Sequence, residues 1–222
     1  MANKDIKQEQ VINVEEAVSR SEEFFNKNWK ILLGIVAAII IAVCGYFWYA
    51  NHQAAKELEA AQALFPGEQF FAEGNYEAAL NGDQNFPGLE SIASEYASTK
   101  SGKLAKAYAG LCMAQLGRYE EAIPLLKAFK GNDMMVGPSV LAALGNCYAN
   151  TGDNAQAAAT LMKAAQQADN NTLSPIYLIQ AGQLYEALGN KAEALKAYKL
   201  VKEKYYMSSQ AMDIDKYIER VK

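Results

Sequence analysis

Residue types on which most catalytic and metal sites depend are scarce in this chain of 222 residues. It has one histidine, His52, and three cysteines, at positions 44, 112 and 147. We find no paired histidines, no CxxC, no serine–histidine arrangement with plausible spacing, and no glycine-rich phosphate loop. His52 has no second ligand or base near it in sequence. The sequence therefore predicts a protein that is not an enzyme and that uses no cofactor or metal.

The chain also has no excess of basic over acidic residues. The chain has 21 lysines and arginines against 25 acidic residues, a net charge of −4, which argues against a nucleic-acid partner. Glu120 and Glu121 stand at the start of a predicted helix, where acidic side chains ordinarily interact with the helix dipole. They give no reason to expect a catalytic carboxylate.

Long apolar runs are absent except at one place, Ile31–Ala50, which has no charge and no proline. As a helix it would measure about 30 Å, the thickness of the hydrocarbon core of a bilayer. A cleaved signal peptide has a shorter apolar region close to the amino terminus. We therefore predict an uncleaved transmembrane signal-anchor helix at 31–50.

The residues at the ends of this segment predict its orientation. Trp29 and the aromatic run Tyr46–Tyr49 suit the two membrane–water boundaries. Lys27 and Lys30 lie next to the amino-terminal end, and cytoplasmic flanks are enriched in lysine and arginine. We expect residues 1–30 to be a cytoplasmic tail and the large carboxy-terminal domain to be translocated.

Small residues fall on one side of the membrane segment, within an arc of roughly 140° on a helical wheel. Such a face allows another membrane helix to approach closely. Because glycine and alanine are common in membrane helices, the alternative is that nothing packs there. The candidate helix-packing face consists of Gly34, Ala37, Ala38, Ala42 and Gly45.

Two segments flank the membrane helix. In the tail, the polar stretch Met1–Asn13 is expected to be disordered. Beyond the membrane, Asn51–Phe65 contains strong helix formers and is expected to continue the membrane helix as a stalk, until Pro66-Gly67 kinks or breaks it. In the tail, between Met1–Asn13 and the membrane segment, a short amphipathic lead-in helix is predicted from the spacing of Val14, Ala17, Val18 and Phe25.

The rest of the chain contains an internal repeat of the form Gly-x-x-x-x-Ala. It starts at Gly74, Gly117, Gly152 and Gly189, and the last two intervals are 35 and 37 residues. Seven residues before each of the last three copies stands another glycine: Gly110, Gly145 and Gly182. These residues resemble the tetratricopeptide repeat, a 34-residue helix–turn–helix unit that stacks into a superhelix.

The resemblance implies an all-α protein with a single N-terminal transmembrane helix followed by a tetratricopeptide-type α-solenoid. The Gly74 copy lies 43 residues before Gly117 and departs from the repeat length. We therefore expect a stalk and a degenerate first repeat at 51–100, then three repeats at 101–206. A capping helix at 207–222 is predicted from one apolar side formed by Ala211, Ile214, Ile218 and Val221.

Cys112 and Cys147 occupy the same position in successive repeats. Equivalent residues on packed helices lie about 8–10 Å apart, farther than the Cα atoms of a disulfide. We expect both to be buried packing residues rather than partners in a bridge.

In the tetratricopeptide family, the first helices of the repeats line a concave groove. Transferred position by position, the groove residues contain no lysine or arginine, unlike grooves that clamp a terminal carboxylate. They would suit a peptide with little charge, and the alternative is that several of them pack internally. They are Leu104, Ala107, Tyr108, Leu111, Gln115, Ser139, Ala142, Asn146, Asn150, Ile176, Ile179, Gln180 and Gln183.

A Phe-Phe-x-x-Asn-Trp-Lys entry at Phe24–Lys30, one membrane helix and a translocated repeat domain together resemble the YfgM-like ancillary subunits of the bacterial Sec translocon. The resemblance implies an inner-membrane protein with a periplasmic domain, a scaffold or chaperone accessory. Its partners would be translocon membrane subunits and a periplasmic folding factor of the PpiD type. The alternative is a periplasmic repeat scaffold that coordinates envelope machinery, of the Tol–Pal type.

Overall fold

The computed structural model describes the backbone of residues 2–222 and the side chains of residues 18–20 and 22–222. Its described residues form helices and no strand. The helices are α1 (Ala2–Ala72), α2 (Tyr76–Asn81), α3 (Leu89–Glu95), α4 (Lys100–Gln115), α5 (Tyr119–Ala128), α6 (Val136–Asn150), α7 (Asn154–Ala168), α8 (Ser174–Ala187), α9 (Lys191–Lys204), a 3₁₀ turn (Ser209–Asp213) and α10 (Ile214–Val221). The chain divides into two compact units, Met1–Ala54 and Ala55–Lys222.

The first unit is the amino-terminal part of α1, a helix long and apolar enough to cross a membrane. Its large apolar side chains are exposed, for example Ile41 at 72% and Trp48 at 72%. α1 begins at Ala2, so residues 2–13 are helical and the prediction of disorder is wrong for them, whereas Met1 lies outside the described residues. In the lead-in segment Val18 and Phe25 are also exposed, whereas the side chains of Val14 and Ala17 lie outside the described residues.

The remainder of α1 belongs to the second unit. Pro66 lies inside this helix, which continues to Ala72, so of the two predicted outcomes, a kink or a break at Pro66-Gly67, the break is wrong. Proline removes one backbone hydrogen bond, but tertiary packing holds the helix together on both sides of it. Leu64 is buried. A Cβ at Gly67 would lie 2.7 Å from Leu89 and 2.8 Å from Phe86, which shows how closely α1 approaches the start of α3 and the loop before it.

Successive helices of the second unit pack as antiparallel hairpins, α4 with α5, α6 with α7, and α8 with α9. The segment before them is irregular. There α2 stops at Asn81, and α3 starts only after the loop of residues 82–88. This interruption accounts for the long interval between Gly74 and Gly117.

The turn inside each hairpin has the same geometry, illustrated by Gly152. Its φ of 88° is left-handed, and the space around it is open, so glycine is needed there for its backbone conformation. Gly152 donates its N–H to Ala149 O, and Asp153 donates its N–H to Tyr148 O, which ends α6. The Asp153 carboxylate then accepts from the backbone N–H of Gln156 and begins α7. Left-handed glycines with the same pair of closing bonds occur at Gly74, Gly117 and Gly189.

The glycines inside the first helices have a different role, which is to provide space. A Cβ on Gly110 would lie 3.0 Å from Leu126, and one on Gly145 would lie 2.9 Å from Leu161. Each contact joins a glycine to the residue sixteen positions later. The repeat register read from the sequence is therefore the register of the packed helices.

The carboxy-terminal end of the solenoid is covered by α10. Ile214, Ile218 and Val221 are buried in the core that also contains Tyr198. The guanidinium of Arg220 donates to both carboxylate oxygens of Glu186 on α8, each at 2.7 Å. This bidentate ion pair fastens α10 to the last hairpin.

Candidate functional site

The predicted groove residues of α4 mostly form part of the core. Ala107 is 1% exposed, and Leu111 packs against the buried cluster. The ring of Tyr108 lies 5.2 Å from that of Phe71 on α1, in an edge-on contact. Burial, together with the nearby carboxylate of Glu68, raises the pKa of Tyr108. The end of α1 therefore covers the predicted groove residues of α4 at the position where a ligand would contact them.

Leu104 and Gln115 are the first and last of the predicted groove residues on α4. Leu104 is half-buried, whereas Gln115 is exposed. Of the five predicted groove residues on α4, only Gln115 is largely accessible to a partner.

The predicted groove residues on α6 and α8 are more accessible. Ala142 is buried and Ile179 is half-buried against the core. The hydroxyl of Ser139 donates to Met135 O at 2.7 Å and lies 3.4 Å from the hydroxyl of Tyr177 on α8. The exposed members of this surface are Ser139, Asn146, Asn150, Ile176 and Gln183.

The amide side chains of this surface differ in their hydrogen bonding. Asn150 donates its Nδ2 to Asn146 O at 2.8 Å. Asn146 and Gln183 make no side-chain hydrogen bond within the described part of the chain. These two exposed amides each retain a donor and an acceptor for a partner.

Gln180 on α8 has an unsatisfied polar atom. Its Oε1 is buried and has no hydrogen-bond partner, the only such side-chain atom among the described residues. A buried acceptor without a partner costs about 1–3 kcal/mol relative to a satisfied one.

The small-residue face of α1 is exposed along its whole length. Nothing lies within 4 Å of a Cβ built on Gly34 or on Gly45. Ala37, Ala38 and Ala42 are likewise exposed.

Sequence reasoning missed a cavity of about 750 Å³ near the amino-terminal end of α4. It is formed where α3, α4, the end of α5 and the start of α6 meet. The predicted groove positions contain no lysine, whereas the lysines of this cavity lie at other positions on α4 and after α5. Its charged lining residues are Lys100, Lys103, Lys106, Lys130 and Asp133.

The remaining reactive groups are in structural positions. Cys112 and Cys147 are free and buried, as predicted, and burial raises the pKa of their thiols to about 12 and about 11. The ring of His52 stacks on that of Trp48 at 5.7 Å. The guanidinium of Arg118 holds the pKa of Glu121 below its usual value. No group of three or more potential metal ligands occurs among the described residues.

Comparison with known proteins agrees with this geometry. The tetratricopeptide repeat family model matches residues 138–171 and 176–203, which correspond to α6/α7 and α8/α9. No curated protein is significantly similar to the chain.

Two solved structures of nearly identical TPR-like repeats from a putative kinesin light chain of Podosopora anserina, one of them a variant, are similar in fold. Each is 14% identical to this chain, with a TM-score of 0.54 over 73% of it and 85% or 84% of the other chain. At this identity the likeness shows the fold alone. Together with the family match it confirms the predicted all-α class and the tetratricopeptide-type solenoid. That fold is typically a non-catalytic scaffold for protein–protein interaction. The predicted apolar amino-terminal helix is also present and is long enough to cross a membrane.

Proposed function

We propose that the protein is a non-enzymatic, single-pass protein of the bacterial inner membrane that serves as an ancillary subunit of the Sec translocon. Residues 1–30 face the cytoplasm, and the solenoid lies in the periplasm. The protein acts as a chaperone accessory, and its binding partners are translocon subunits, a PpiD-type folding factor or emerging clients. The observation that carries the proposal is the presence, in one chain, of an exposed apolar helix of bilayer length and a protein-binding repeat fold.

The orientation is supported by the lysines at the amino-terminal end of the apolar segment. Lys27 and Lys30 stand directly before it, whereas the other end has Lys56 as its first lysine. Cytoplasmic flanks carry the excess of positive charge. Protease added to spheroplasts should digest the region after residue 54 and leave the tail intact. Protection of the solenoid would contradict the orientation and the periplasmic role with it.

Docking to the translocon is assigned to the small-residue face of α1. Packing rather than hydrophobicity drives helix association in lipid, so side chains that block close approach weaken it. Gly34→Leu combined with Ala38→Leu keeps the segment apolar but fills this face. We expect this pair to reduce co-purification with translocon subunits. Val36→Leu with Val43→Leu, at exposed positions on the opposite side of the helix, is the matched control and should co-purify normally.

Binding of a soluble segment is assigned to the accessible surface of α6 and α8. That surface is uncharged, and the exposed amides of Asn146 and Gln183 favour a segment with free N–H and C=O groups, such as an extended peptide. Asn146→Lys with Gln183→Lys changes two exposed residues and leaves the core intact, whereas Leu111 and Ile179 pack against it. We expect this pair to lose a periplasmic partner while it retains the translocon.

The control for this pair is Gln166→Lys, which adds one positive charge at an exposed position of α7, outside the α6 and α8 surface. It should leave all partners bound. If both double variants co-purify the same proteins as the wild type, the proposed surfaces are not used. Recovery of Tol–Pal-type envelope proteins without translocon subunits would replace the translocon role with that of an envelope scaffold.

A further inference from the structure

We propose that the lysine-lined cavity at the amino-terminal end of α4 binds an acidic segment of a protein partner that inserts one bulky apolar side chain. This site is separate from the α6 and α8 surface and shares only Leu104 with the groove residues predicted from the sequence. It goes beyond the proposed function, because it defines a second surface with a different partner chemistry.

The cavity combines an apolar lining with positive charge. Apart from its lysines and Asp133, its side chains are apolar and include Leu104, Phe129 and Val136. A second cavity of about 400 Å³ adjoins it and shares Ala93, Ala97 and Lys106 with it. The two openings together follow α4 and α3, so they suit an extended segment better than a single small anion.

Lys106 departs from the repeat pattern. It lies four residues before Gly110, and the equivalent residues before Gly145 and Gly182 are Leu141 and Leu178. Leu178 is 2% exposed, so this position normally contributes an apolar side chain to the packing of neighbouring helices. In the first complete hairpin the same position instead directs a half-buried lysine into the space between α3 and α5.

Lys103 departs from the pattern in the same way. The equivalent residues of the next two hairpins are Pro138 and Pro175, which are both fully buried. Lys103 is exposed and lines the cavity. Two charged residues therefore replace two packing residues at one end of α4, and this leaves the cavity open.

The positive charge of the cavity is only partly offset by the protein. Lys100, Lys103, Lys106 and Lys130 make no ion pair within 4 Å among the described residues. The carboxylate of Asp133 is directed at the start of α6, where it accepts from backbone N–H groups including that of Met135 at 2.8 Å. The cavity therefore presents four cations and one engaged carboxylate.

The carboxylates nearest to these lysines offset only part of this charge. Glu57 interacts with Lys100, but its two oxygens accept from the backbone N–H groups of Lys100 and Ser101 at the start of α4. Glu90 lines the adjoining cavity with Lys106 and makes no ion pair with it. An acidic partner would therefore meet an excess of positive charge around an apolar pocket.

The test uses the full chain in a non-ionic detergent. The probe is a fluorescein-labelled peptide with two glutamates on each side of one phenylalanine, and binding is followed by fluorescence anisotropy. We expect binding that weakens as salt is raised, because exposed charges are screened. A peptide with glutamine in place of glutamate, and one with serine in place of phenylalanine, should each bind about tenfold more weakly or worse.

Lys106→Leu is the decisive variant, since it installs the residue that the other two hairpins carry. It should retain or raise the melting temperature and weaken peptide binding about fivefold, and Lys103→Gln added to it should weaken binding further. Lys199→Leu, on the exposed face of α9, is the control and should bind as the wild type does.

Unchanged peptide affinity in Lys106→Leu, or equal affinity for the acidic and neutral peptides, would overturn the proposal. So would an absence of peptide binding together with lysine-dependent binding to nanodiscs that contain phosphatidylglycerol, because the cavity would then serve a membrane surface. Loss of peptide binding in Lys199→Leu to the same extent would show non-specific attraction and would also overturn it.

Discussion

Replacing Gly182 by alanine tests the packing inside the last hairpin. A Cβ at this position would lie 2.3 Å from Cε1 of Tyr198, the shortest of the helix–helix contacts at the repeat glycines. The Tyr198 ring is fully buried, its hydroxyl donates to Glu186, and it packs against Tyr217 at 5.3 Å between ring centroids. The ring therefore has little room to move away from the new methyl group.

The expected size of the effect is the balance of two opposing contributions. Overpacking a tight core site costs roughly 1–3 kcal/mol. Alanine in place of glycine inside a helix returns about 0.5–1 kcal/mol. We expect Gly182→Ala to lower the free energy of unfolding by about 1–2 kcal/mol. For a folded unit of this size, that corresponds to a fall in melting temperature of roughly 2–8 °C.

The assay is thermal unfolding followed by circular dichroism, and Gly110→Ala is the matched control. A Cβ on Gly110 would lie 3.0 Å from Cδ2 and Cγ of Leu126 and 3.1 Å from Cβ of Leu125, so α5 needs to give by only a few tenths of an ångström. Its overpacking cost should roughly cancel the gain in helix propensity. Gly110→Ala should therefore change the melting temperature much less than Gly182→Ala does.

A double variant separates this contact from other effects. Tyr198→Leu installs the residue type found at the equivalent positions 126 and 161. In that background Gly182→Ala should cost less, with a coupling energy on the order of 1 kcal/mol. If Gly182→Ala is as stable as the wild type, or if the two substitutions are additive, the close contact with Tyr198 does not limit this position.

Three further predictions concern polar and thiol groups. Glu57→Ala should lower stability by roughly 1 kcal/mol in a urea titration, since the start of α4 loses the carboxylate that accepts from its first N–H groups. The hydrogen bonds from Arg220 to Glu186 outweigh burial and hold the pKa of Glu186 below its usual value, so their stabilisation is present above that value and is lost as pH falls through the lower folded-state pKa. Melting temperatures of the wild type and Glu186→Gln should therefore converge in acid, and a gap that persists at the lowest pH would contradict the assignment. In a Cys44→Ala variant, Cys112 and Cys147 should react with a maleimide near neutral pH only after denaturation, because they are buried and protonated; rapid labelling of the folded protein would refute this.

The repeat architecture could be predicted because its signals are local. A left-handed turn favours glycine, as at Gly152, and a close helix contact favours glycine sixteen residues before a large apolar side chain, as at Gly145 and Leu161. Both requirements recur at a fixed interval, so the register follows from the spacing. The apolar run at 31–50 was equally clear from its length.

The predictions that failed depended on long-range packing. Pro66 is a helix breaker in isolation, but Leu64 and Gly67 pack against distant residues and the helix continues to Ala72. The same packing places Phe71 against Tyr108 and covers a stripe that family analogy assigned to a groove. The lysine-lined cavity was missed because its residues converge from four helices, although the departures at Lys103 and Lys106 were already visible in the aligned repeats.

The hairpin turns have a consequence for the order in which the chain acquires its structure. The bonds that close the turn at Gly152 join residues no more than five positions apart, so each hairpin can close soon after its own residues are synthesised. The ion pair of Arg220 with Glu186 spans 34 positions instead. During synthesis from the amino terminus, the last hairpin therefore presents an apolar edge until Arg220 has emerged. A chain cut short before α10 would leave this edge exposed to chaperones or proteases.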